Sequence, residues 1–147
     1  MLKKIMVVLP ALFIAAFSSF FLLPAEGQDV SVNASDIKFT PPDSVVAGTQ
    51  VVISIPVYNL KKDDTDESKD ATADIKIYLD NKETKLGSWT GTIPAQSGMD
   101  LGIDWDTTAV NPGYHAVIVD IINIKPKDSN PDNNQAITNN YLIYWRR

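Results

Sequence analysis

Apolar residues recur at every second position along most of this chain, and that period suits pleated strands that bury one face. Val51, Ile53, Ile55 and Val57 share one parity. Ala73, Ile75, Ile77 and Leu79 form a second such row. Met99, Leu101, Ile103 and Trp105 form a third, with Asp100, Gly102 and Asp104 between them. β-Branched and aromatic residues dominate the rows, as half-buried strands favour. Beyond residue 27 no segment carries apolar side chains at a sustained helical spacing.

The rows and the breaks between them predict seven strands, at 29–39, 49–59, 71–80, 83–93, 97–105, 113–124 and 135–145. Turn clusters separate them: Pro41-Pro42, Ala47-Gly48, Asp80-Asn81, Asn111-Pro112-Gly113 and Asn130-Pro131. Short strands at close spacing, without helices between them, predict an antiparallel β-sandwich, with a closed barrel as the alternative. In the first strand Val30 and Val32 have one parity and Ile37 and Phe39 the other, which predicts a bulge or a change of sheet at Asn33–Ser35. Pro56 cannot donate a ladder hydrogen bond, so its strand needs a bulge or an open edge there.

The N-terminus has a different character. Lys3 and Lys4 precede an apolar stretch from Ile5 to Leu23, broken only by Pro10, Ser18 and Ser19. Ala25-Glu26-Gly27 then places small residues at −3 and −1 of a cut before Gln28. This is the layout of a secretory signal peptide, so residues 1–27 read as a removable leader and 28–147 as one domain. A retained anchor is the alternative, since a spanning helix needs about 20 apolar residues.

Removing the leader takes away Lys3, Lys4 and Glu26. The 13 basic and 18 acidic residues of the 147-residue chain fall to 11 and 17, a net charge of −6. That charge argues against nucleic acid and anionic membrane surfaces as partners. The chain has no cysteine, so a disulfide framework, a thiolate nucleophile and a zinc finger are all excluded. Sheet packing alone must hold the domain.

Several segments together resemble the CARDB family, the cell-adhesion-related domain found in bacteria and archaea. The resemblance runs over about 29–145. Asp29-Val30-Ser31-Val32 with Ile37-Lys38-Phe39-Thr40-Pro41 looks like the family's opening strand. Val46-Ala47-Gly48-Thr49, Val51-Val52-Ile53 and Val57-Tyr58-Asn59 look like its second. Ile77-Tyr78-Leu79-Asp80, Leu86-Gly87, Pro112-Gly113-Tyr114-His115-Ala116-Val117 and Asp128-Ser129-Asn130-Pro131-Asp132-Asn133-Asn134 follow in the family's order. The resemblance implies a seven-stranded immunoglobulin-like sandwich in an extracellular protein, with a role in adhesion or ligand presentation. The acidic loop Lys61–Asp70 is longer than the family's.

No catalytic constellation is present. His115 is the only histidine and has no serine, cysteine or acid at a recognisable spacing, so it reads as an outward strand residue. Phosphate loops and the His-Glu-x-x-His and Gly-x-Ser-x-Gly motifs are absent. Asp63, Asp64 and Asp66 offer oxygens for calcium, beside the plainer reading of a solvated hairpin tip. Asp104, Asp106, Asp128, Asp132, Asn133 and Asn134 read as turn formers. Tyr114 reads as a tyrosine corner. Trp89 is the candidate for an exposed glycan platform. Tyr141-Leu142-Ile143-Tyr144-Trp145 leaves no polar face: it is either a central strand with an aromatic plug or a contact surface, with Tyr141, Ile143 and Trp145 as contact residues. Asn33-Ala34-Ser35 matches a glycosylation sequon.

The expectation is a secreted or cell-surface module without enzymatic activity or cofactor. It would bind a protein partner or cell-surface component through strand edges and loops. A carbohydrate- or calcium-binding extracellular module is the alternative.

Overall fold

A computed structural model describes residues 28–60 and 69–146. The segment 1–27, expected to be a leader, and the calcium candidates Asp63, Asp64 and Asp66 lie outside the described residues.

β1 (Val30–Val32), β2 (Lys38–Thr40), β4 (Gln50–Asn59) and β7 (Ser97–Asp106) form one antiparallel sheet. β4 is its spine, with Val51, Ile53, Ile55, Val57 and Asn59 all buried on one face. β7 pairs with β4 along its whole length, from Gln50↔Asp106 to Asn59↔Ser97. The second sheet has the order β10 (Gln135–Ile137), β9 (Val117–Lys125), β5 (Ala71–Leu79), β6 (Lys85–Ile93), also antiparallel. The buried rows of β4, β5 and β9 belong to a single apolar cluster, which is the core of a sandwich. A small third sheet holds β3 (Ser44–Val46), β11 (Tyr141–Tyr144) and β8 (Gly113–His115). β11 runs parallel to β3 and antiparallel to β8. The sheets are separate, so the barrel alternative does not hold.

The strand count differs from seven because three expected strands are each broken in two and β3 is additional. The first break has a clear physical cause. Asn33 caps a 3-10 turn at Ala34–Asp36, its side chain accepting from the Ser35 N–H at 3.2 Å. β1 and β2 both pair with β4, but the register shifts by three residues between Val32↔Val57 and Lys38↔Ser54. An odd shift reverses parity, which explains why Val30, Val32 and Ile37 are all buried. Pro56 pairs with Asp100 of β7 on one side and lies opposite this gap on the other, where neither β1 nor β2 pairs with it to ask for its missing N–H.

The other two broken strands end at corners. β8 stops at His115 and β9 begins at Val117, so the chain passes from the small sheet to the second sheet at Ala116. β10 and β11 divide in the same way, because β10 pairs with β9 and β11 with β3 and β8. Buried Thr107 ties another corner: its hydroxyl donates to Thr49 O at 2.6 Å and accepts from the Gly48 N–H at 3.0 Å. Gly48 has φ 90°, a conformation that a Cβ would disfavour.

Candidate functional site

β11 decides what the aromatic C-terminus does. Tyr141 and Ile143 point inward and are buried, so two of the three expected contact residues are core. The Tyr141 ring stacks on Phe39 at 4.6 Å and lies 6.1 Å from Trp105, and its hydroxyl donates to Pro41 O at 2.7 Å. Burial, reinforced by the Asp43 charge, raises its phenol above the usual 10.0. The aromatic plug is therefore real, and it is made by the inward parity of this strand.

The opposite parity forms an open face. Leu142 pairs with Tyr114 on one side and Ser44 on the other, and Tyr144 pairs with Val46. Tyr144 is 44% exposed, Tyr114 69% and Trp145 67%. Val46, Tyr144, Trp145 and Arg146 line one shallow cleft. Trp145 thus keeps its place as a contact candidate, and Tyr144 and Tyr114 replace Tyr141 and Ile143. Tyr114 makes no corner here, since its ring stands in solvent.

Trp89 is not an exposed platform. It occupies the inward parity of β6, opposite buried Ile75, and packs partly buried against the core. Its ring lies over Gly91, where an added Cβ would come within 2.5 Å of ring carbon Cζ2. The alternation is weak in this strand because glycines stand where aliphatic side chains would otherwise show parity.

His115 has a partner that sequence spacing did not reveal. Its Nδ1 lies 2.7 Å from Asp80 Oδ2, and its Nε2 lies 2.7 Å from Asn111 O. A carbonyl only accepts, so Nε2 carries a hydrogen. Asp80 also accepts from the Ala116 N–H at 2.8 Å, from a left-handed backbone with φ 58°. Its side chain thus ties the β5–β6 turn to the β8–β9 corner. In a nucleophilic site the far nitrogen would face a hydroxyl or thiol. Here it is held by main chain, so the pair is a brace.

A second cluster lies where the start of the domain meets the turn at 128–134. Gln28 forms a parallel bridge with Asp128, and the Ser129 N–H donates to Gln28 O at 2.8 Å. Asn133 Nδ2 donates to Asp29 Oδ1 at 2.8 Å. Asp128 and Asn134 line one cleft of about 510 Å³ with Lys127 and Pro131. Asp128 Oδ1 accepts from the Asn130 N–H at 3.0 Å, the turn-forming role expected of it. Yet Gln28 Oε1, Asp128 Oδ2, Asn133 Oδ1 and Asn134 Oδ1 are buried and meet no donor among the described residues. Gln28 is only 3% exposed. Sequence reading missed Gln28 because only the tertiary fold brings it to this turn. No group of three His, Cys, Asp or Glu that could hold a metal occurs among the described residues. This cluster escapes such a description because three of its four oxygens are amides.

The fold and its open faces define an immunoglobulin-like sandwich module. No protein-family model matches the sequence, and no curated protein matches it. Solved structures do. The crystal structure of the CARDB domain of the PF1109 protein from Pyrococcus furiosus, in complex with di-metal ions, superposes with a TM-score of 0.65. It is 19% identical to this chain, and the match covers 82% of this chain and 97% of that one. The solution structure of the same domain gives a TM-score of 0.63 at 18% identity, covering 82% and 99%. The fold is that of the CARDB domain.

Proposed function

We propose that this protein is an exported, non-catalytic interaction module that docks a protein partner on the outer face of the β3–β11–β8 sheet. The observation that carries the reading is the row of Tyr114, Tyr144 and Trp145 beside Val46, exposed on a sheet whose other face is core. Aromatic rings offer large contact area at small conformational cost and are enriched at interface centres. The likeness to a CARDB domain supports an adhesion-related role, and the leader-like 1–27 segment supports export. The engaged ring nitrogens of His115 support the absence of catalysis.

The test places a photo-crosslinking residue at position 144 in the native host. A discrete cross-linked protein band that disappears in Trp145→Ser supports the reading. Surface-exposed protein that yields no cross-link would overturn it.

A second reading, a cation-binding module, has its own support. Four buried oxygens lack donors among the described residues, and the P. furiosus domain was solved in complex with di-metal ions. The carbohydrate alternative loses its main candidate, because Trp89 is packed against the core.

A further inference from the structure

Resting on the cation-binding reading, we propose that Gln28, Asp128, Asn133 and Asn134 form a calcium site that fastens the start of the domain to the 128–134 turn. The strongest observation is the state of their oxygens. Gln28 Oε1, Asp128 Oδ2, Asn133 Oδ1 and Asn134 Oδ1 are all buried, and none has a hydrogen-bond donor among the described residues. An acceptor removed from water and left without a partner is costly, and most costly for a carboxylate oxygen. One orphan is ordinary. Four from two chain segments that meet at one corner, the start of the domain and the 128–134 turn, point to a shared positive partner.

The orientation of one of these groups is fixed. Asn133 Nδ2 faces the Asp29 carboxylate at 2.8 Å, and a carboxylate accepts rather than donates. Its Oδ1 must therefore face away, where it is found unpartnered. Asp128 is likewise divided: Oδ1 serves the Asn130 N–H and Oδ2 is left over. Lysine does not fill the role, because Lys127 lines the cleft without reaching any of these oxygens.

The donor set selects the ion. Carboxylate and amide oxygens are hard ligands, which suit calcium or magnesium over zinc or copper. Calcium takes six to eight oxygens in flexible geometry, and water from the cleft that Asp128 and Asn134 line would complete a set of four side chains. Magnesium demands a near-ideal octahedron and gives up its waters reluctantly. A single coordinating carboxylate makes the site weak, at roughly 0.1–1 mM, the range of extracellular modules. Such a site would fill only where calcium is millimolar, outside the cytoplasm. It would then pin Gln28, the first residue after the expected cut, to the rim of the sandwich.

The experiment titrates the full chain with calcium chloride by calorimetry and follows the melting temperature in parallel. Saturable heat is expected, with a rise of about 5 °C at tenfold over Kd. Magnesium should bind at least tenfold more weakly. Asp128→Asn should abolish the response and Asn134→Asp should tighten it about tenfold, whereas a combined Asp63→Asn, Asp64→Asn, Asp66→Asn variant should respond as the parent does. Loss of binding in that triple variant, with Asp128→Asn still responsive, would move calcium to the acidic loop and overturn this site while keeping the cation reading. A flat titration of the folded parent would overturn both. Asn134→Asp keeps the test open should Asp128→Asn fail to fold: an unchanged Kd in that variant counts against the site.

Discussion

At the scale of single residues, small side chains and hydroxyls matter as much as the aliphatic rows. Gly91 has no Cβ because the Trp89 ring occupies that space. Gly91→Ala should cost about 1–3 kcal/mol through overpacking. In a double-mutant cycle with Trp89→Ala most of that cost should vanish, because the clash is shared; chemical denaturation measures both. Tyr141 couples burial to a hydrogen bond. Tyr141→Phe should lose about 1 kcal/mol at neutral pH by leaving Pro41 O without its donor. The phenol also titrates higher in the folded state than in the unfolded chain. Its contribution is complete below the unfolded value near 10.0 and is lost as pH rises through the folded value. The parent should therefore weaken in alkali, and Tyr141→Phe should weaken less, as read from urea midpoints across the alkaline range.

At the scale of elements, β11 shows how one strand serves two purposes. Its inward residues fill the core, and its outward residues with Trp145 make the contact face. Deleting residues 141–147 would remove the central strand of the small sheet along with Tyr141 and Ile143, and the domain should fail to fold cooperatively in a thermal melt. Tyr144→Ser with Trp145→Ser should leave the melting temperature within a few degrees of the parent, because exposed side chains contribute little to stability. Asp80 is the side chain that fastens the β5–β6 turn to the β8–β9 corner. Asp80→Ala should cost about 1–3 kcal/mol, since His115 Nδ1 and the Ala116 N–H both lose their acceptor. A comparable loss in His115→Ala, and little further loss in the double variant, would show that the brace acts as a unit.

At the scale of the molecule, no disulfide holds the sandwich, and its charge is strongly acidic. Two carboxylates tie acid stability to the fold. The Asn123 amide and Thr90 hydroxyl hold Asp74 below the usual carboxylate range, and the hydroxyl and N–H of Thr108 do the same for Asp106. Their contribution is present above the unfolded value of 3.8 and is lost as pH falls through the folded values. Stability should drop below about pH 4, and the drop should be shallower in Asp74→Asn with Asp106→Asn. Urea midpoints at neutral and acidic pH would show the difference.

Much of this architecture is written locally. Alternation in β4, β5 and β7 specifies strands and their buried faces, because a pleat sends every second side chain to the same side. The parity reversal at Asn33–Ser35 and the awkward Pro56 are also local signals, and both prove to mark the same break in an edge strand. Other features arise only from long-range pairing. Trp89 reads as exposed because its inward neighbours on β6 are glycines, and only the sandwich shows what lies beneath it. Tyr141 and Tyr144 look alike in sequence until pairing with β3 and β8 assigns them opposite faces. The bond from His115 to Asp80 and the meeting of Gln28 with Asp128 span distances at which sequence spacing carries no information. The sequence by itself determined the long strands β4, β5 and β7 and which side of each is apolar, since those follow from a two-residue period. Only the tertiary structure decided which surfaces stay open and which oxygens are left unpaired, because both depend on what the packed chain brings alongside them.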